Sequence, residues 1–143
     1  MIKKNGISLI VLMITIIVMA ILLTAIILNV KDENVSNRAS EMRIKTDVEA
    51  FKEELENYIS DQEIIFVSEG KSYNKEKLYA NETEVIYDDK AIEGVNIYDI
   101  LPSVSKDNYK GSFKVEKGKL VFVNSGEYDF LDEEINWINE VLQ

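Results

Sequence analysis

The chain holds 143 residues, 16 Lys and Arg against 26 Asp and Glu, for a formal net charge of -10, with no cysteine and no histidine. Those absences exclude disulfides, thiolate metal sites, Cys nucleophiles and lipid attachment through Cys. They also remove the commonest general base and transition-metal ligand. The acidic balance repels phosphate backbones, which are bound by Lys and Arg, so direct nucleic-acid binding is not expected.

The charge is unevenly spread. Met1-Ile2-Lys3-Lys4-Asn5-Gly6 precedes ISLIVLMITIIVMAILLTAIILNV, and the next charge is Lys31. As a helix, Ile7 to Leu28 spans about 33 Å, enough for a hydrocarbon layer of about 30 Å. Its polar residues Ser8, Thr15 and Thr24 can bond back to helix carbonyls. A lone helix satisfies its own backbone, as lipid demands. Lys3 and Lys4 before the stretch favour a cytoplasmic N-terminus, with residues 31–143 outside.

Three readings fit this segment. A cleaved secretory signal carries an apolar region of about 7–15 residues and a small-x-small cleavage site. Here the run is longer, and Ala20 and Ala25 do not form such a site. An uncleaved signal anchor explains the helix and its orientation but leaves Gly6 without a role. The third reading is a resemblance. KKNG followed by ISLIVLMITIIVMAILL is similar to the N-terminus of type IV pilins and pseudopilins, including those of type II secretion systems. The resemblance implies a leader of residues 1–6, basic through Lys3 and Lys4. A prepilin peptidase would cut it after Gly6 and methylate Ile7. It further implies assembly with other pilin or pseudopilin subunits through the N-terminal helix. Val11 stands where that family usually has a Glu, thought to pair with a neighbouring subunit's N-terminal amine. Ile7 replaces the usual Phe. A carboxylate inside the bilayer costs about 2–3 kcal/mol or more, so Val11 makes a better lone membrane helix and removes that registering pair. Some minor members of the family lack the Glu as well. The family often has a Pro partway down the helix, but the only Pro here is Pro102, so no Pro kink is expected.

From residue 35 to 61 the pattern becomes amphipathic. Ile44, Val48, Phe51, Leu55 and Tyr58 fall on one helical stripe, with Val35, Ala39 and Met42 continuing it on a slightly rotated face. Glu41 and Lys45 form an i,i+4 pair in the favourable order; Lys45–Glu49 and Lys52–Glu56 run in the weaker one. Asp32-Glu33-Asn34 is the expected local break. Past it, Ile64-Ile65-Phe66-Val67 reads as a strand or a helix-to-strand connection, and residues 73–82 as a surface excursion. Glu84 to Tyr87 reads as a strand. Asn96 to Leu101 is a strand or short turn closed by Pro102. Residues 112–123 form the best hairpin, with Phe113 and Val115 alternating and Gly118 supplying a left-handed turn residue. Leu131, Ile135, Ile138 and Leu142 mark a final helix opened by Asp132-Glu133-Glu134, with Trp137 as a candidate anchor to the sheet. Residues 98–124, with Ile-Leu-Pro-Ser before the hairpin, also resemble the tail of clostridial pilin-like proteins.

The expected fold class is therefore α+β. A long N-terminal helix, transmembrane in one half and amphipathic in the other, packs on a small antiparallel sheet with a C-terminal amphipathic helix. The expected divisions are 1–6 leader, 7–30 transmembrane helix, 31–62 amphipathic extension and 63–143 extracellular head. No catalytic constellation stands out: G-x-S-x-G is absent, Ser36, Ser40 and Ser60 read as solvent-facing, and no spacing favours a Ser-Lys dyad. Asp88-Asp89 with Glu82 or Glu84 offers oxygen ligands for calcium, but the D-x-[DN]-x-[DN]-G loop is missing. No cofactor is expected. The leading expectation is a structural subunit, minor or non-classical, of a type IV pilus or a secretion or competence pseudopilus. The alternative is a single-pass membrane protein whose extracellular domain binds a partner without polymerising; an anchored enzyme comes third.

Overall fold

A computed structural model describes residues 2–30 and 34–143, with the side chains of residues 2–7, 27–30, 34, 35 and 107 left out. The expected break at Asp32 and Glu33 lies outside the described residues. The chain divides into two compact units, Met1–Ser40 and Glu41–Gln143.

In the first unit, helix α1 runs Ile2–Val30. The second helix, α2, runs Asn34–Ser68, and its residues from Glu41 onward belong to the second unit. The expected stripe is what the helix buries: Ile44, Val48, Phe51 and Leu55 are all buried, joined by Ile59, while Tyr58 is half-buried. Ala39 and Met42 are exposed, so the stripe does not extend towards residue 35. The side chain of Val35 lies outside the described residues.

Ile64-Ile65-Phe66-Val67 is helical, not a strand. The helix runs past residue 62 to Ser68 and stops at Gly70, which takes φ 73°. There the Lys71 N–H donates to Phe66 O at 2.8 Å and the Gly70 N–H to Val67 O at 3.0 Å, the paired bonds of a Schellman cap. The β-branched run is a weak strand signal; the Gly stop and the packing of Phe66 against Tyr73 and Tyr87 decide the matter.

The sheet has five antiparallel strands in the order β3-β2-β1-β4-β5, from β1 (Leu78–Ala80), β2 (Val85–Tyr87), β3 (Lys90–Ile92), β4 (Phe113–Glu116) and β5 (Lys119–Phe122). Its central strand, β1, lies inside residues 73–82, so that segment is core and not a surface excursion. Leu78 and Ala80 are buried and Tyr79 points outward. Three residues are too few for alternation to register in a sequence. Asn96 to Leu101 holds neither a strand nor a simple turn but one helical turn, α3 (Ile97–Ile100). Asn96 caps it through Oδ1, and Asp99 accepts the Asn96 N–H at 2.8 Å. The hairpin forms as expected, with Glu116 opposite Lys119 and a two-residue turn of Lys117 (φ 51°) and Gly118 (φ 72°).

Helix α4, Asp132–Leu142, packs its buried Ile138 into the same core, and Trp137 is half-buried. It lies beside α2. Lys45 Nζ bridges Glu41 and Glu140 at 2.7 Å each, and Lys52 Nζ donates to Val141 O at 2.9 Å. Those contacts replace the expected Lys45–Glu49 and Lys52–Glu56 pairs. One core results, from Phe51 edge-on to Tyr109 and Phe113 at 5.0 and 5.4 Å out to Phe130 and Ile138. The second unit is α+β, as the sequence predicts.

Candidate functional site

The strongest candidate in the sequence is the N-terminal segment. Within α1, Ser8–Ile26 forms a 19-residue stretch of mean hydropathy 3.1, none of it buried. Its large side chains are exposed by similar amounts all round the helix, from Val18 at 48% to Ile21 at 63%. Such a helix has no single face for a globular core. It is long and apolar enough to cross a membrane. The polar groups inside it are closed off: Thr15 Oγ1 donates to Val11 O at 2.6 Å, and Thr24 Oγ1 to Ala20 O at 2.8 Å. Neither hydroxyl is left to donate to a neighbouring helix unless it gives up that bond, though each oxygen can still accept.

Gly6 and Ile7 lie in the backbone of α1, as do Lys3 and Lys4; their side chains are outside the described residues. Gly costs a helix about 1 kcal/mol relative to Ala, which lowers the work of opening the turn at Gly6. Val11 is exposed at 56%, presenting an aliphatic surface where a carboxylate would carry charge.

The second unit has a cleft of about 530 Å³ lined by Glu82, Lys110, Gly111, Gly126 and Tyr128, among others. Tyr98 Oη donates to Glu82 and accepts the Gly111 N–H at 3.0 Å. Burial, then the bond to Glu82, pushes the Tyr98 hydroxyl up to about 12. It is therefore a proton-holding, positioning group at neutral pH and no base. Gly111 and Gly126 meet there: a Cβ on Gly126 would stand 2.4 Å from Lys110 O and 2.6 Å from Ser112 Oγ. This crossing is built for close backbone packing.

The weighed calcium ligands are not brought together. Glu82 is engaged by Tyr98, and Asp88 by Lys77 Nζ at 2.8 Å, which holds the Asp88 carboxyl below its ordinary value. Asp88 and Asp89 occupy the β2–β3 turn with φ 52° and 61°. Among the described residues no group of three or more acidic side chains could hold a metal ion. Ser36, Ser40 and Ser60 are exposed, as expected. Ser112, which sequence reasoning did not single out, is fully buried, and its Oγ has no hydrogen-bond partner among the described residues. Tyr98–Glu82 was also illegible: Tyr98 lies in α3 and Glu82 in the β1–β2 connection, and no local pattern links them. No family model, no curated protein and no solved structure matches this chain.

Proposed function

We propose that this protein is a structural subunit of a type IV pilus or a related pseudopilus. A prepilin peptidase would process it between Gly6 and Ile7, and its uncharged helix would later leave the bilayer to stack with other subunits. The observation that carries this reading is the juxtaposition of Lys3-Lys4-Asn5-Gly6 with a helix that is apolar on every side and has no core of its own to enter. A helix of that kind needs lipid or other helices. The amphipathic helix packed on a small sheet supplies the displayed head. Lys3 and Lys4 favour the cytoplasmic side for the N-terminus and the outer side for residues 41–143. Val11 in place of a carboxylate points to a minor or non-classical role, because the subunit brings no acidic group to register against a neighbour's amine.

A second reading is favoured by the same Val11 and by the internally bonded Thr15 and Thr24. These leave the helix with few free donors to hold a partner, as suits a permanent anchor for an extracellular binding domain. The mass of the mature chain taken from its native membrane separates the two. Loss of residues 1–6 with one added methyl supports a filament subunit, and Gly6→Ala then accumulates the uncut form. A chain that keeps Met1 while the host's other filament proteins are trimmed is a tether.

A further inference from the structure

The connection between β1 and β2 carries Asn81-Glu82-Thr83, an Asn-x-Thr with no proline inside it. That tripeptide is the acceptor for an asparagine-linked glycan when it lies in a surface loop of a chain exported from the cytoplasm. All three residues are exposed. Asn81 Oδ1 takes three donors: the Thr83 N–H at 2.9 Å, the Thr83 hydroxyl at 2.8 Å and the Glu84 N–H at 3.0 Å. The two N–H bonds make an Asx turn, which asks only for the backbone of residue 83. The hydroxyl bond is additional; a residue without it would make the same turn.

Three hydrogen bonds draw electron density towards Oδ1, which makes the protons on Nδ2 easier to remove. Nδ2 itself has no hydrogen-bond partner among the described residues. The frame that presents it is fixed. The Asn81 N–H donates to Glu84 O at 3.0 Å and the Ile97 N–H to Asn81 O at 2.8 Å, while Tyr98 Oη holds Glu82. Glu82 also lines the cleft of about 530 Å³, together with Lys110, Ser125 and Tyr128. A polar hollow with an aromatic ring therefore begins one residue from the acceptor, and it offers donors and acceptors to the hydroxyls of a first sugar.

We propose that Asn81 is a site of N-glycosylation, with a lipid-diphosphate-linked oligosaccharide as the donor. The bond from Nδ2 to the sugar C1 forms, and the C1–O bond to the diphosphate breaks. The lipid diphosphate leaves with the electron pair, and a base of the transferase takes one Nδ2 proton. The chain has one other such tripeptide, Asn34-Val35-Ser36, but it opens α2, where helical backbone replaces the turn, and it stays unmodified. The inference needs only a head outside the membrane, which the filament and tether readings share, so it does not depend on polymerisation.

The test uses the full-length chain taken from its native membrane. Trypsin frees residues 78–90 as one peptide. The expected result is a peptide heavier by whole sugar residues, with fragmentation placing them on Asn81. Asn81→Gln and Thr83→Val lose the added mass, and Thr83→Ser keeps it. Thr83→Val retains both N–H bonds of the turn, so its loss of sugar is not a loss of fold. An unmodified 78–90 peptide, sugar on Asn34 alone, or sugar on Thr83 that survives Asn81→Gln overturns the site. The N-terminus is read on the same material. A trimmed chain with bare Asn81 removes this inference and leaves the filament reading, whereas an untrimmed chain with sugar on Asn81 does the reverse.

Discussion

The two units of this chain solve the burial problem in opposite ways. In Glu41–Gln143 the apolar side chains turn inward, and Val48, Leu78, Val85, Ile97, Leu101, Val104 and Ile138 are wholly removed from solvent. In Ser8–Ile26 nothing is buried, although the stretch is far more apolar. A protein in water can keep such a helix only by giving it another solvent, either lipid or its own kind. The second unit buries its apolar side chains within itself, whereas Ser8–Ile26 leaves them all exposed.

The sharpest way to break this contrast is to apply one kind of change to both regions. Leu78→Ala, on the central strand, removes a fully buried side chain and should destabilise the head by about 3 kcal/mol, read as a lowered Tm. Leu12→Ala in α1 should leave that Tm unchanged; a comparable drop would mean that the head depends on the helix. Almost as large is the converse experiment. Leu22→Arg at the middle of the apolar stretch should cost about 3 kcal/mol of membrane insertion and shift the chain out of the membrane fraction, while the head keeps its fold. Equal membrane retention would argue that the helix does not sit in lipid.

Gly118→Ala probes the head's own construction more gently. It places a side chain at φ 72° and 2.4 Å from Lys75 O, so a loss of about 1–3 kcal/mol is expected in urea unfolding. No change would mean that the turn gives way freely. The smallest effect is one of pH. Tyr98 is raised from 10.0 to about 12 in the folded head, so its neutral form is favoured there. The stability this contributes is fully present below pH 10 and is lost as pH rises from 10 towards 12. Absorbance titration should show several late-ionising tyrosines, since burial raises Tyr73 and Tyr58 too, and their number should fall by one in Tyr98→Phe. If the late-ionising tyrosines are as many in Tyr98→Phe as in the parent chain, Tyr98 is not held neutral by burial and Glu82.

Periodicity carried much of this fold. Four-three spacing picks out the buried face of α2 from Ile44 to Leu55, alternation finds β4 and β5, and Leu131 to Leu142 marks α4, because each of these elements is long enough to repeat its pattern. The N-terminal helix is legible from hydropathy alone, since lipid selects on every side chain of a span and leaves no pattern to misread. A processing role for Lys3, Lys4 and Gly6 rests on a resemblance alone. What tertiary structure decided was short or remote. Leu78–Ala80 becomes the central strand because β2 and β4 pair with it from either side, which no window of three residues can announce. Ile64 to Val67 remains helical because the helix is stopped by Gly70 and held by Phe66 on two tyrosines, against its strand-like composition. The Lys45–Glu140 bridge and the Tyr98–Glu82 bond join residues that are neighbours only after the chain has folded. Local patterns are written within one element; contacts between elements exist only once packing has brought them together.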